Sequence, residues 1–256
     1  MCTLVILRRP EHVWPVIIGA NRDEMIGRAA LPPARHWPDR PEVIAGLDQL
    51  AGGSWLGIND WGVAAAVLNR HGSLGPAPGQ RSRGELVLEA LDHPDAVSAA
   101  EALSHLDPAA YRTFNLIVAD NRDAFWLRHA AGKDIDAWPI EEGVSLIDSG
   151  ELNRPNNRRV TLATPRFRAA LPPDPDRDDW ADWQHLLSST ESPPGEPAES
   201  ALRFTMPHGY GTVSSALIAL PRAGAGERKP RFRYAQWQPE ATAWADVAGA
   251  AISPAR

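Results

Sequence analysis

Apolar and polar positions along the chain predict short antiparallel strands, interrupted by two blocks of helix. Runs of apolar, partly β-branched residues alternate with polar turns rich in Asn, Asp and Gly, which is typical of hairpins. Three hairpins are predicted in this way, with strands at residues 3–8 and 16–20, 54–58 and 62–69, and 115–119 and 124–128. Further short strands are predicted at 144–147, 212–220 and 232–237.

Helical periodicity and start signals indicate the two helical blocks. Ser82 is a candidate helix cap with Glu85 three residues later, and the helices are predicted over 82–91, 95–106, part of 157–170, and 180–188. Segments without a clean period are predicted to be loops, at 27–53, 72–80, 172–179 and 192–199. Hairpins with helices in two blocks favour an α+β fold in which two antiparallel sheets are sandwiched between helical layers.

The composition narrows the function classes. The chain has 256 residues, of which 43% are hydrophobic, and we interpret residues 1–256 as a single domain. A net charge of −6 without a dominant basic patch argues against nucleic-acid binding. The apolar run from Val13 to Ala20 is short and contains Pro15, so it predicts a strand and no membrane span. We therefore expect a soluble, cytoplasmic protein that acts on a small-molecule substrate or ligand.

The single cysteine is Cys2, directly after the initiator Met. If Met1 is removed, one residue carries both a thiol and a free α-amine. The pKa of an α-amine lies near neutrality, so the amine can act as general base toward its own thiol. A start-of-strand residue buried in the core is the alternative interpretation of Cys2.

Candidate partners of Cys2 come from the ends of the first two hairpins. The segment 21–24, Asn-Arg-Asp-Glu, is predicted to leave the strand beside Cys2, with Asp23 accepting from the α-ammonium and Arg22 favouring thiolate. Asn69 ends another strand and is a candidate oxyanion donor. The tripeptide is weak evidence by itself, because residues 121–123 repeat it in an ordinary hairpin turn.

Three stretches resemble one family. Met1-Cys2-Thr3 with Gly19 to Glu24, Gly52 to Asn59 followed by Gly62 to Asn69, and Tyr210 to Ser215 resemble signatures of the NRDE family, also called the transport and Golgi organisation 2 family. That family resembles the cysteine-type N-terminal-nucleophile (Ntn) hydrolases, which include choloylglycine hydrolases and penicillin V acylases. The resemblance implies a four-layer αββα sandwich of two antiparallel sheets.

The same resemblance implies roles for individual residues. Cys2 corresponds to the nucleophile, Asp23 to the aspartate that holds its amine, and Asn69 to the oxyanion asparagine. Asn21, Glu24 and Trp55 are further candidates for substrate binding. The second oxyanion position stays open between Asp148 and Asn153, and Arg203 is a candidate for a late substrate arginine. One departure is Ala20, because those hydrolases carry an arginine three residues before the aspartate.

Three functions follow from this sequence. The first is a cysteine amidohydrolase or acyltransferase that acts on a linear C–N amide. The second is a non-enzymatic carrier of haem or a lipid-like ligand, with Cys2, His36 or His71 as axial ligands of a haem. The third is an interaction protein that kept the fold without chemistry. No resident cofactor or metal is expected, and the acidic loop at 174–179 is interpreted as solvated surface. The sequence leaves open whether the protein is a homo-oligomer, although related hydrolases often assemble.

Overall fold

The computed structural model describes residues 2–75, 77–154 and 158–249 of the chain. Its β-strands in chain order are β1 Thr3–Arg8, β2 Val16–Met25, β3 Ala30–Ala34, β4 Val43–Asp48, β5 Leu56–Asn59, β6 Ala64–Asn69, β7 Phe114–Ala119, β8 Ala124–His129, β9 Ile135–Pro139, β10 Gly143–Ile147, β11 Tyr210–Leu220, β12 Arg231–Gln236 and β13 Ala245–Asp246. Its α-helices are α1 Gly84–Leu91, α2 Ala96–Ser104, α3 Arg158–Ala169 and α4 Ala181–Ser188. Short 3-10 turns occupy Pro108–Ala110 and Ala198–Ser200.

The strands form two antiparallel sheets. The first has the order β10-β1-β2-β11-β12-β13, and the second has the order β3-β4-β5-β6-β7-β8-β9. Helices α1 and α2 pack on the outer face of the second sheet, while α3 and α4 pack on the outer face of the first. The order of layers is therefore helix, sheet, sheet, helix, which confirms the αββα sandwich expected from the sequence.

Burial on both faces explains why β1 reads as an unbroken apolar run. Leu4 and Ile6 point into the core between the sheets, whereas Val5 and Leu7 point outward into the core under α3 and α4. A strand covered on both sides has no polar face, so its sequence shows no alternation of apolar and polar residues.

Among the described residues, no helix combines the length and the apolar character needed to cross a membrane.

The prediction of a loop over residues 27–53 is wrong, because β3 and β4 lie there. Strand β3 is the edge of its sheet and contains Pro32 and Pro33, which are tolerated at an edge but hide the strand pattern. In β4 the apolar run Val43-Ile44-Ala45 is buried on both faces and is too short to show a period. The edge strands β9 and β13 also lie where the sequence predicts no strand.

The prediction that residues 21–24 leave the sheet is wrong as well. Strand β2 continues to Met25, and its second half pairs with β11, where Asp23 lies opposite Thr212. The polar residues stay in the strand because tertiary contacts satisfy their side chains. Between Thr212 and Ser214 the register of β11 shifts, so the strand carries a bulge beside the candidate site.

The acidic loop at 174–179 lies at the surface as predicted, but its carboxylates have partners. Asp176 contacts Arg228 at 2.9 Å and Asp178 contacts Arg231 at 2.8 Å. Within the described ranges, His, Cys, Asp and Glu side chains form no group of three or more that suits a metal ion.

Candidate active site

Cys2 lies immediately before β1, on the inner edge of the first sheet. Its thiol is half-buried beside the inter-sheet core, and the backbone N–H of Asp23 lies 3.4 Å from the sulfur. Thr3 pairs with Asn21 in the β1–β2 register, so one further step puts Cys2 opposite Arg22.

The surroundings of Cys2 favour the neutral thiol. Burial raises the pKa of the Cys2 thiol above its ordinary value, and the nearby Asp23 carboxylate raises it further. The guanidinium of Arg22 acts in the opposite direction but does not reverse the shift. A thiol in this environment needs a base before it can act as a nucleophile.

The Asp23 carboxylate is held from two sides. Arg159 on α3 donates from Nη1 to Asp23 Oδ2 at 2.7 Å, and Thr212 on β11 donates from Oγ1 to Asp23 Oδ1 at 2.7 Å. Arg159 also donates to Thr3 Oγ1 at 3.0 Å, and its guanidinium lies 4.8 Å from the centre of the Phe204 ring. Both members of the Asp23–Arg159 ion pair are buried, with side chains 0% and 6% exposed. The carboxylate is thereby fixed beside the start of β1.

Arg22 and Asp23 point to opposite faces of β2, as adjacent strand residues do. Arg22 points toward the cleft between the sheets, where its guanidinium lies 4.1 Å from the centre of the Trp55 ring. The indole of Trp55 packs against Gly46, in the space that a side chain at residue 46 would occupy. The Arg22 cation is thus held close to Cys2 by an aromatic face.

A cleft of about 340 Å³ opens above the thiol. Its wall includes Cys2, Arg22, Glu24, Trp55 and Asn69, so the structure brings most of the predicted site residues together. Asn69 ends β6, and within the described chain its side chain makes no hydrogen bond, which leaves the amide available to a ligand. The volume lies within the range typical of small-molecule sites.

Other predicted residues do not line this cleft. The amide of Asn21 is buried, where Nδ2 donates to the carbonyls of Leu187 and Leu202 at 3.0 and 2.7 Å, so the side chain anchors β2 to the α4 layer. The Asn153 side chain is bound to Leu146 and Ser145 on β10, and it does not line the Cys2 cleft.

Asp148, the other oxyanion candidate, is buried and accepts a hydrogen bond from the backbone N–H of Gly150. Arg203 donates to the Ser188 carbonyl and stacks on Trp237. Neither residue lines the Cys2 cleft, and a role for either in catalysis or substrate binding stays a prediction.

Four residues that shape the site are not among those predicted from the sequence. Arg159 and Thr212 hold the Asp23 carboxylate, while Arg83 and Arg112 line the cleft. Thr212 lies inside the Tyr210 to Ser215 motif, which gave a usable signal. The arginines gave none, because a helix or loop arginine is by default a solvated surface residue.

Comparison with curated proteins finds relatives of one kind. The Transport and Golgi organization 2 homolog of Mus musculus is 36% identical over 120 residues, which cover 43% of this chain and 40% of that protein. The homologue of Bos taurus is 38% identical over 120 residues, with the same coverage. The matched stretch thus spans well under half the length of these relatives.

Solved structures share the fold at low identity. A variant of the conjugated bile acid hydrolase from Clostridium perfringens superposes with a TM-score of 0.60 and 10% identity, over 96% of this chain and 92% of that chain. The Caenorhabditis elegans ortholog of N-acylethanolamine-hydrolyzing acid amidase gives a TM-score of 0.52 and 12% identity, over 85% and 92%. At such identities the likeness concerns the fold, which is that of the Ntn hydrolases.

The family assignment rests on most of the chain. Residues 1–227 match the family described as Transport and Golgi organisation 2. This range contains the Cys2 site, the whole second sheet, the first sheet except β12 and β13, and the four α-helices of the described residues. The protein therefore belongs to the Transport and Golgi organisation 2 family, built on the fold of the Ntn hydrolases.

Proposed function

We propose that this protein is an Ntn-type cysteine amidohydrolase that cleaves a linear C–N amide through Cys2, once Met1 has been removed. The observation that carries the proposal is the Cys2 sulfur at the floor of a cleft that Asn69 also lines, 3.4 Å from the Asp23 backbone nitrogen. The names of the structural neighbours, an amidase and a bile acid hydrolase, support the same class of reaction. Met1 itself lies outside the described residues.

The first half of the reaction uses both groups of Cys2. The free α-amine takes the thiol proton, directly or through a water molecule, and the sulfur attacks the amide carbon. The negative charge that forms on the carbonyl oxygen is stabilised by the side-chain amide of Asn69. The α-ammonium then protonates the leaving amine, the C–N bond breaks, and a thioester remains on Cys2.

The second half returns the enzyme to its starting state. The α-amine, neutral again, takes a proton from water, and the hydroxide attacks the thioester carbon. The C–S bond breaks, a carboxylic acid leaves, and the thiol is restored. If an amine replaces water as the acceptor, the same steps give acyl transfer.

Asp23 has a supporting role in this scheme. Its carboxylate lies close enough to Cys2 to raise the pKa of the thiol, and in this scheme it stabilises the protonated α-amine and fixes its direction. Arg159 and Thr212 keep the carboxylate in place. The raised pKa of the thiol fits a mechanism in which an internal base, and not spontaneous ionisation, generates the nucleophile.

Haem binding, the alternative, has weaker support. His36 is bound through Nε2 to the Pro32 carbonyl at 2.9 Å, and neither His36 nor the exposed His71 lines the cleft. Of the three candidate axial ligands, the cleft as described contains Cys2 alone. The residues therefore do not fit a haem held by two of them.

The direct test compares wild type with Cys2→Ala and Cys2→Ser on a panel of N-acyl amides. Intact mass spectrometry first establishes that the wild-type protein begins at Cys2. We expect turnover by wild type and loss of at least ~10³-fold in Cys2→Ala. A thiol-reactive acyl probe should add one acyl group to wild type and none to Cys2→Ala. Turnover that persists in Cys2→Ala, or a wild-type protein beginning at Cys2 that cleaves no amide on the panel, would refute the proposal.

A further inference from the structure

The wall of the Cys2 cleft carries arginines that differ in how their charge is balanced. Arg28 forms an ion pair with Asp48 at 2.8 Å. Arg81 contacts Glu85 and Glu89 at 2.7 and 2.6 Å. These two cations are neutralised by carboxylates of the protein itself.

Arg83 and Arg112, on the same wall, have no carboxylate partner among the residues that the structure describes. Arg83 donates from Nη1 to the carbonyls of Ser73 and Thr113, at 2.7 and 3.1 Å. Arg112 donates to the carbonyls of Leu74 and Gly72, at 2.6 and 3.0 Å. Carbonyl dipoles orient both guanidinium groups but do not cancel their charge.

The two guanidinium groups converge on one point. Arg83 Nη2 and Arg112 Nη1 lie 3.5 and 3.4 Å from the same carbonyl oxygen, that of Gly75. Burial lowers the pKa of Arg83 to about 10, and the charge of Arg112 contributes to this shift. Two cations this close repel each other, so an anion between them would relieve both the repulsion and the cost of burial.

The space around Cys2 is divided into an apolar and a polar part. Between the sheets a crevice of about 20 Å³ reaches Leu4, Ala66 and Ala216, and its walls are mostly apolar. The larger part of the cleft, about 340 Å³, lies on the arginine side. A bound molecule therefore has most of its room next to Arg83 and Arg112.

We propose that Arg83 and Arg112 bind the carboxylate of an amide substrate, so that the cleft selects N-acyl amino acids over neutral amides. This inference rests on the proposed function, and it names the substrate class of the same site. A planar carboxylate accepts paired N–H groups from guanidinium forks, and in an N-acyl α-amino acid its carbon lies two bonds from the amide nitrogen. The paired Arg81 and Arg28 take no part in this recognition.

The test uses two ligands of nearly equal size, N-octanoylglycine and the neutral N-octanoylglycinamide. We expect wild type to prefer the carboxylate by about 10- to 100-fold in kcat/KM. Arg112→Gln should lose this preference, whereas Arg81→Gln, on the same wall but neutralised by two glutamates, should keep it. Arg83→Lys, which keeps the charge without the fork, should give an intermediate preference.

Calorimetric binding to Cys2→Ala separates this inference from the proposed reaction. Selective binding of N-octanoylglycine that is lost in Cys2→Ala/Arg112→Gln supports the carboxylate site even if wild type cleaves neither ligand. Equal turnover and equal binding of the two ligands would overturn the inference and leave amide hydrolysis standing. Stronger competition by inorganic phosphate than by octanoate would also overturn it, because the site would then suit a phosphate.

Discussion

Arg159 Nη1 lies 2.7 Å from Asp23 Oδ2, which joins helix α3 to strand β2 through a buried ion pair. The same guanidinium donates to the Glu199 carbonyl at 2.6 Å and to Thr3 Oγ1 at 3.0 Å. It thus ties together the helical layer, the first strand and the candidate aspartate. The position of the buried carboxylate beside Cys2 therefore depends on this contact together with the hydrogen bond from Thr212.

Removal of the Arg159 cation should be costly. Arg159→Met leaves the Asp23 carboxylate buried without this partner, and we expect the free energy of unfolding to fall by ~3–5 kcal/mol in urea titrations. The neighbouring Arg158 is 65% exposed and pairs with Glu196 at the surface, so Arg158→Met should cost no more than about 1 kcal/mol. In the Asp23→Asn background, Arg159→Met should lower the free energy of unfolding by less than it does in wild type. Equal costs in both backgrounds would contradict the coupling.

The hairpins were predictable from the sequence because turn residues and apolar runs are local signals. The same holds for Cys2, whose position in the chain marks it, and for Asn69 at a strand end. Arg159 was not predictable, because its partner lies 136 residues away and only the packing of α3 on the first sheet brings them together. Strand β3 was not predictable for the opposite reason, because its two prolines are local signals that disfavour a strand.

The two copies of Asn-Arg-Asp show the limit of a short motif. Residues 121–123 lie in the turn between β7 and β8, where Asp120 accepts from the backbone N–H groups of Arg122 and Asp123. Residues 21–23 lie inside β2, and their side chains contact helix α4, Trp55 and helix α3 in turn. The difference comes from the neighbouring strand β11 and from α3, which no property of the tripeptide encodes.

Asn69 should matter for turnover and little for stability. In the proposed reaction its amide donates to the developing oxyanion, so Asn69→Ala should lower kcat by ~10²–10³-fold. The folded protein uses this side chain for no hydrogen bond among the described residues, so the urea midpoint should barely change. Asn153→Ala should lower the urea midpoint and leave kcat nearly unchanged, because the Asn153 side chain forms hydrogen bonds with Leu146 and Ser145 outside the cleft. A larger loss of kcat in Asn153→Ala would transfer the oxyanion role to Asn153.

The reactivity of Cys2 should depend on Met1. Burial and the Asp23 carboxylate raise the pKa of the thiol, so at neutral pH the sulfur is protonated and alkylation by iodoacetamide is slow. A protein that begins at Cys2 carries an α-ammonium on the same residue, and this cation favours the thiolate. Its alkylation profile should therefore lie at lower pH than that of the protein retaining Met1.

Mass spectrometry of both forms between about pH 6 and 10 measures this difference, because the range spans the ordinary pKa values of α-amines and thiols. Asp23→Asn in the form retaining Met1 is the matched control, since loss of the carboxylate should also move alkylation to lower pH. Superimposable profiles for the forms with and without Met1 would show that the α-amine does not influence the thiol.

Gly46 should be required for the position of Trp55. A Cβ built at residue 46 would lie 2.3 Å from Trp55 ring atoms, so Gly46→Ala must push the indole away from β4. We expect a loss of ~1–3 kcal/mol in the free energy of unfolding from this overpacking. Gly27→Ala, where an added Cβ meets nothing within 4 Å, should cost nothing measurable.

The displaced indole should also release Arg22, which stacks on it beside Cys2. In a Trp55→Leu background, the obstacle to a residue 46 methyl group is smaller, so Gly46→Ala should cost clearly less than in wild type. Urea titrations of the four proteins in this cycle measure the coupling between the two positions. If Gly46→Ala costs the same with either residue at position 55, its effect arises in the strand itself, and Trp55 does not depend on the missing side chain.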